Sequence, residues 1–166
     1  MTLSHPFHQV AYIVSDLDAA VRHWADVLGV GPWSIWTMGA ENLLDMVHEG
    51  KPASFSLRHA LAFSGPLQTE LVQPLGGPSI FADQMQRSGP GLNHIGRLVD
   101  DHAAESAELI ASGYTPLQSA RFGQSADGRF AYFGAPSGGA IIELIAPPSK
   151  RFAPDYVYPA PPIQEH

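Results

Sequence analysis

Four side chains in this chain are of the types that hold a divalent cation, and they recur at matching places: Gln9, Glu70, His94 and Glu143. Gln9 opens the stretch QVAYIVSD and His94 opens HIGRLVDD, each reaching an Asp seven positions on, at Asp16 and Asp101. Such an echo, half a chain apart, points to a duplicated module with one polar group per copy aimed at a shared cavity. Thr69-Glu70-Leu71-Val72 and Ile142-Glu143-Leu144-Ile145 then each place one Glu inside an apolar strand. A lone carboxylate there is costly to bury unless it is paired or coordinates a metal. Two carboxylates, an amide oxygen and an imidazole suit a hard or borderline divalent cation with open coordination positions. Taken singly, His94 reads as a hydrogen-bonded core histidine, each Glu as an edge charge facing water, and Gln9 as no signal. The repeat-matched placement of all four favours the metal.

Register decides which side chains meet, because strand residues alternate faces. If His8 pointed inward, Val10, Tyr12 and Val14 would share its face. With Gln9 inward, Ala11 and Ile13 line the cavity and Val10, Tyr12 and Val14 pack on a helix. The repeat supports Gln9. The residue two positions on is small in both copies, Ala11 and Gly96, which leaves room for a ligand.

The elements that must position these groups read as two β-α-β-β-β units. Residues 7–14 alternate as a strand, and Ser15 or Asp16 caps a helix carrying Leu17, Val21, Trp24 and Leu28 on one stripe, ended by Gly29. Ser15 with Asp18 resembles a capping box. Trp33 to Met38 forms a strand, 39–51 has no clear pattern, and Ala53 to Phe63 with Leu67 to Gln73 forms a hairpin over Ser64-Gly65-Pro66. Ser79 caps a short helix through Ile80, Phe81 and Met85. The second half repeats the order, with a strand at 92–99, a helix over 102–112 and strands near 115–122, 129–135 and 140–146. The expected fold class is therefore α+β, with paired βαβββ modules forming an open, curved mixed sheet around a metal-containing cavity. The expected organisation is one domain over 1–147 (module one 5–76, a linker helix within 77–90, module two 91–147) and a Pro-rich tail over 148–166. The prolines argue against regular structure in that tail, leaving it extended over the domain or a neighbour.

Composition narrows the function classes. At 166 residues the chain buries a proper core, and 45% hydrophobic with 15% charged residues is ordinary globular material. A net charge of −7, with nine Lys plus Arg and no basic cluster, argues against nucleic acid as partner. No apolar run has the length of a membrane span and the start is not a leader sequence, so a cytoplasmic protein is expected. The absence of cysteine removes disulfides, thiolate nucleophiles and Cys-ligated zinc.

Over residues 7–147 the sequence resembles the vicinal oxygen chelate superfamily, nearest its glyoxalase I and methylmalonyl-CoA epimerase branch. The resemblance is carried by HQVAYIVSDLDAAVRHWADVLGVGPW, LQTELVQPLGGPSIF, GLNHIGRLVDD and IIELIAPP. It implies that the superfamily's four metal positions fall on Gln9, Glu70, His94 and Glu143, a set that eukaryotic-type glyoxalase I uses for zinc. Epimerases of the superfamily carry His at the first position and Gln at the second, the reverse of the pattern here. Ile13 stands where glyoxalase I has a glutathione-binding arginine, which argues against glutathione adducts, and residues 54–59 offer no counterpart of the epimerase's additional acid.

The expected function is that of a divalent-metal-dependent isomerase, epimerase or lyase acting on a small molecule. Glu143 and Glu70 flank the substrate and shuttle a proton next to its carbonyl, while Gln9 and His94 anchor the cation (Zn, Ni, Co or Mn) that stabilises the enolate. A metal-free protein that sequesters small molecules is the second class. An extradiol-type dioxygenase, which needs two His and one carboxylate for iron, falls behind because Gln9 replaces one His. The family also implies a homodimer. His5, His8, His23, His48, His59, His102 and His166 read as surface or packing residues, with His59 nearest the cavity mouth. Arg58 and Arg129 read as solvated.

Overall fold

The structure, a computed structural model, describes residues 5–160; His166 and the end of the tail lie outside them. The first module builds β1 (Gln9–Ile13), α1 (Leu17–Asp26), β2 (Trp33–Met38), β3 (Leu44–His48), β4 (Lys51–Pro52), β5 (Ser56–Ser64) and β6 (Leu67–Gly76). The linker forms α2 (Ile80–Arg87). The second module builds β7 (Gly91–Leu98), α3 (His102–Ala111), β8 (Thr115–Phe122), β9 (Gly128–Gly134) and β10 (Ile141–Ala146), and the tail adds β11 (Tyr156–Tyr158). All strands join one open mixed sheet in the order β11-β2-β5-β6-β1-β7-β10-β9-β8-β3-β4. No helix among the described residues is long and apolar enough to cross a membrane.

The two modules meet where β1 runs antiparallel to β7, pairing Gln9 with Gly96 and Ala11 with His94. Each of these strands has a parallel neighbour from its own module, so that Ala11 lies beside Glu70 and Gly96 beside Glu143. The small residue of each copy therefore sits next to a Glu. Alternation does the rest: Ile13 joins an inner cluster with Met38, Leu57, Val72, Phe81 and Tyr132, while Tyr12 and Val14 pack on Leu17 and Val21 of α1. Taking such an aliphatic side chain out of water contributes about 1.5–3 kcal/mol. A matching outer cluster sets Leu109 of α3 against Ala131, Phe133 and Leu144. Arg97, on the helix-facing side of β7, is buried against Glu105 of α3 at 2.6 Å.

Local expectations are settled or changed at four places. Asp16, not Ser15, caps α1, accepting a hydrogen bond from the Ala19 amide. Asp18 turns away from any capping box and pairs with Arg58, which also donates to the Tyr156 hydroxyl. The patternless residues 39–51 contain β3 and β4, and β3 crosses to pair with β8 of the second module. Its signal is absent locally because its register is set by that distant partner. The tail also departs from the expectation of no regular structure. Between Pro154 and Pro159, the β-favouring run Tyr156-Val157-Tyr158 adds an edge strand to β2, where flanking prolines are tolerated.

Candidate functional site

At the centre of the sheet, Glu70, His94 and Glu143 offer ligand atoms within 4.8 Å of one another. The His94 Nε2 lies 3.2 Å from Glu70 Oε2 and 3.2 Å from Glu143 Oε2. All three are buried, as is Gln9, at 5% exposed or less for Gln9, His94 and Glu143. Glu70 and Glu143 extend from central strands into the cavity.

The surrounding hydrogen bonds fix which atoms face inward. Gln84 donates to the carbonyls of Gly91 and Leu92, so its Oε1 accepts from Asn93 Nδ2 at 2.9 Å. That leaves Asn93 Oδ1 to accept from His94 Nδ1 at 2.8 Å, and a neutral His94 then presents a lone pair on Nε2. Gln9 Nε2 donates to Gln68 Oε1 at 3.0 Å, turning Gln9 Oε1 toward the same centre. Gln9 Oε1, Glu70 Oε2, His94 Nε2 and Glu143 Oε2 are all buried without a hydrogen-bond partner. With His94 neutral, four acceptor atoms converge on one point and cost several kcal/mol together. Either a cation among them or a proton on His94 Nε2, 3.2 Å from both carboxylates, relieves that cost. The donor set fits a divalent cation.

Gly96 makes the approach possible. A Cβ built there would stand 2.3 Å from Gln9 Oε1 and 3.1 Å from Glu143 Oε2. The sequence signal was the small residue two positions after His94, and the close backbone approach is its reason.

Charges respond to the crowding. Burial alone would push His94 down, yet Glu143 and Glu70 hold its pKa up, at about 9. Glu70 would be raised by burial, but His59 and His94 hold it down at about 2. Without a cation, then, His94 carries a proton between two carboxylates. Tyr132, whose ring meets that of His94 edge-on at 4.9 Å, is pushed well above its ordinary value by burial and by Glu143 and Glu70. It remains a hydroxyl donor.

These groups floor a cavity of about 270 Å³, close to the lower end of ligand-pocket sizes, roughly 300–1,000 Å³. Leu57, Leu61, Phe122 and Phe130 form apolar walls, and His8, His59 and Arg151 also reach it. Reading His8 as a surface or packing residue is thus corrected. It borders the cavity, and its pKa is lowered by burial first, with Glu143 opposing. His59, placed near the mouth, is in fact 2.7 Å from Glu70 Oε1 through Nδ1, with the Trp36 ring tilted against it at 5.3 Å. Gln68, Asn93 and Arg151 carried no sequence signal: the fold brings Gln68 and Arg151 to the cavity, and Asn93, adjacent to His94 in sequence, is oriented by Gln84. Arg58 is tied to Asp18 and is absent from the cavity lining.

The fold and the paired strands identify the class, and the family comparison names it. A family profile described as the Glyoxalase/Bleomycin resistance protein/Dioxygenase superfamily matches residues 8–133, most of the chain. The protein belongs to that superfamily. Among solved structures it is similar to methylmalonyl-CoA epimerase from Mycobacterium tuberculosis, with 23% identity and a TM-score of 0.61 over 89% of this chain and 93% of that one. A hypothetical protein from Bacillus halodurans C-125 gives 18% identity and 0.59 over 90% and 99%. Streptomyces coelicolor methylmalonyl-CoA epimerase, in complex with 2-nitronate-propionyl-CoA, gives 18% and 0.54 over 91% and 99%. These likenesses share the fold. No curated protein matches the chain in sequence.

Proposed function

We propose that the protein is a divalent-metal-dependent isomerase, epimerase or lyase that removes a proton next to a carbonyl. The observation that carries this reading is the convergence of Gln9 Oε1, Glu70 Oε2, His94 Nε2 and Glu143 Oε2, each buried and without a hydrogen-bond partner. One cation (Zn, Ni, Co or Mn) held by these four would polarise a carbonyl oxygen and acidify the C–H beside it.

The chain's own residues do the rest. Gln68 and Asn93 lock Gln9 and His94 in the ligating orientation. Glu143 would take the proton from carbon on one side of the cavity, and would either return it or pass it to Glu70 for return on the other side, both carboxylates lying within reach of the same centre. The apolar walls keep competing water from the carbanionic carbon. Tyr132, held as a hydroxyl, supplies a donor beside Glu143.

Proton NMR in D₂O tests the reading directly. Protein loaded with each of the four metals is offered methylmalonyl-CoA and the hemithioacetal of methylglyoxal with a small thiol. Loss of the proton next to the carbonyl is the expected result. No exchange on either probe with any metal, from protein shown to bind metal, sinks the enzymatic reading. In that case sequestration of an apolar molecule becomes the better account, since the cavity walls are mainly apolar; the metal-free form of that reading additionally requires that no cation is taken up.

A further inference from the structure

After Ala146 the chain leaves β10 and crosses the open end of the cavity as a strap. The Ser149 amide donates to the Asp127 carboxylate at 3.1 Å. Three consecutive carbonyls are then taken up: Lys150 O accepts from the Gln124 amide at 2.9 Å, Arg151 O from Gln124 Nε2 at 3.0 Å, and Phe152 O from Trp36 Nε1 at 3.1 Å. Further on, the Asp155 carboxylate accepts from the Thr37 amide at 2.8 Å, and β11 seals the strap to β2. Asp127 and Gln124 belong to the second module; Trp36 and Thr37 belong to the first. The strap is therefore pinned from both sides of the cavity, at backbone level, around residue 151.

The side chain so placed is unusual for its surroundings. Arg151 is exposed at the mouth and borders both the main cavity and a side chamber of about 60 Å³ shared with Trp36, Phe122 and Phe152. It is the one Arg or Lys among the described lining residues. Arg58, Arg97 and Arg121 are each paired with a carboxylate; Arg151, like Arg22, Arg87 and Arg129, has none within ion-pair distance among the described residues, and of these four only Arg151 borders the main cavity. The cavity is thus polarised along its length, with two carboxylates at the floor, apolar walls, and an uncompensated guanidinium at the opening.

We infer that Arg151 is a specificity-determining residue that binds an oxyanion, carboxylate or phosphate, at the outer end of an apolar carbonyl substrate. This assignment rests on the preceding reading for the carbonyl end and adds the chemistry of the opposite end. A guanidinium offers two parallel donors to such a group, and preorganising its backbone lowers the ordering cost of binding.

Calorimetry on the full chain tests it with two probe pairs whose members differ in one anionic group. The first pair is 3-benzoylpropionate and its primary amide; the second is S-benzoyl-4′-phosphopantetheine and S-benzoyl-pantetheine. At least one anionic member should bind about tenfold tighter than its uncharged counterpart, the strength of one charge-assisted contact at a partly exposed site. In Arg151→Gln the preference should fall to within about twofold, and Arg151→Lys should retain part of it. The pair that shows the effect identifies the anion as carboxylate or phosphate. An unchanged preference in Arg151→Gln, or equal binding of charged and uncharged members in the wild type, overturns the assignment. Zinc titration of the same wild-type sample separates the two readings. Failure to take up zinc counts against the metal centre, while the charge preference is read independently of it.

Discussion

The two modules place the same ligand scaffold and then surround it differently. In the first, Glu70 on β6 lies opposite Leu61, and His59 two residues earlier on β5 reaches across to its carboxylate. In the second, Glu143 on β10 lies opposite Tyr132, and Phe130 occupies the place of His59. The imidazole side fixes Glu70 and holds it ionised at about 2. The aromatic side leaves Glu143 among Phe130 and Tyr132, against an apolar wall. Duplication thus explains why four polar groups converge, and divergence of the facing strand explains how two equivalent carboxylates come to differ. In the proposed function, Glu70 is the better-anchored ligand and Glu143 the better-placed proton carrier.

The strongest break in the comparison is removal of the carboxylates themselves. Glu143→Gln should lower turnover by at least about a thousandfold while leaving metal uptake measurable, as expected for a lost proton carrier. Glu70→Gln should also abolish turnover but weaken metal binding more, because it removes the ligand that His59 orients. Metal calorimetry beside the exchange assay separates the two; equal losses of metal affinity in both variants contradict the asymmetry.

Gly96→Ala tests the close approach on the second module's side. The added Cβ displaces Gln9 and Glu143, so metal affinity should fall by about tenfold or more, with a stability loss of about 1–3 kcal/mol. Ala11→Gly, at the matching place in the first module, should leave metal affinity within a fewfold. His59→Phe makes the first module resemble the second, and should cost about 10–100-fold in metal affinity or activity without unfolding the protein. Comparable affinity in His59→Phe and wild type shows that the imidazole does not orient Glu70.

The pH dependence of the metal-free protein follows from the same charges. The pKa of His94 is raised from its ordinary 6.5 to about 9, so its stabilising contribution is complete below 6.5 and is lost as pH rises through 9. That of Glu70 is lowered from 4.5 to about 2, so its contribution is present above 4.5 and is lost as pH falls toward 2. Thermal melts in chelator should show wild type gaining most over His94→Ala near pH 5–6, with the difference shrinking by pH 9. The smallest effect is expected at the strap's far anchor. Tyr156→Phe removes hydrogen bonds to Arg58 and Asp18 at a mostly exposed site and should cost no more than about 1 kcal/mol.

Much of this was legible in the residues. The echo of QVAYIVSD in HIGRLVDD identified the duplication, and the small residues Ala11 and Gly96 identified the face on which Gln9 and His94 lie. Those signals are local: alternation and side-chain size act within a few residues, wherever the strand ends up. What escaped is what depends on a distant partner. β3 exists because β8 offers it an edge, and β11 because β2 does. His59 meets Glu70 only through strand pairing, and Asn93 is turned toward His94 by Gln84. His8 was turned toward a cavity wall that its own segment could not reveal.

By itself, then, the sequence determined the modular plan, the capped helices and the identity of four convergent polar groups, because periodicity and burial cost are properties of each short segment. Only the tertiary structure decided their hydrogen-bonded orientation, the inequality of the two carboxylates and the strap that brings Arg151 to the mouth. Those depend on which backbone edges and side chains meet in space, from His59 and Glu70, 11 residues apart, to Trp36 and Phe152, 116 apart, and that choice is made by packing rather than by local preference.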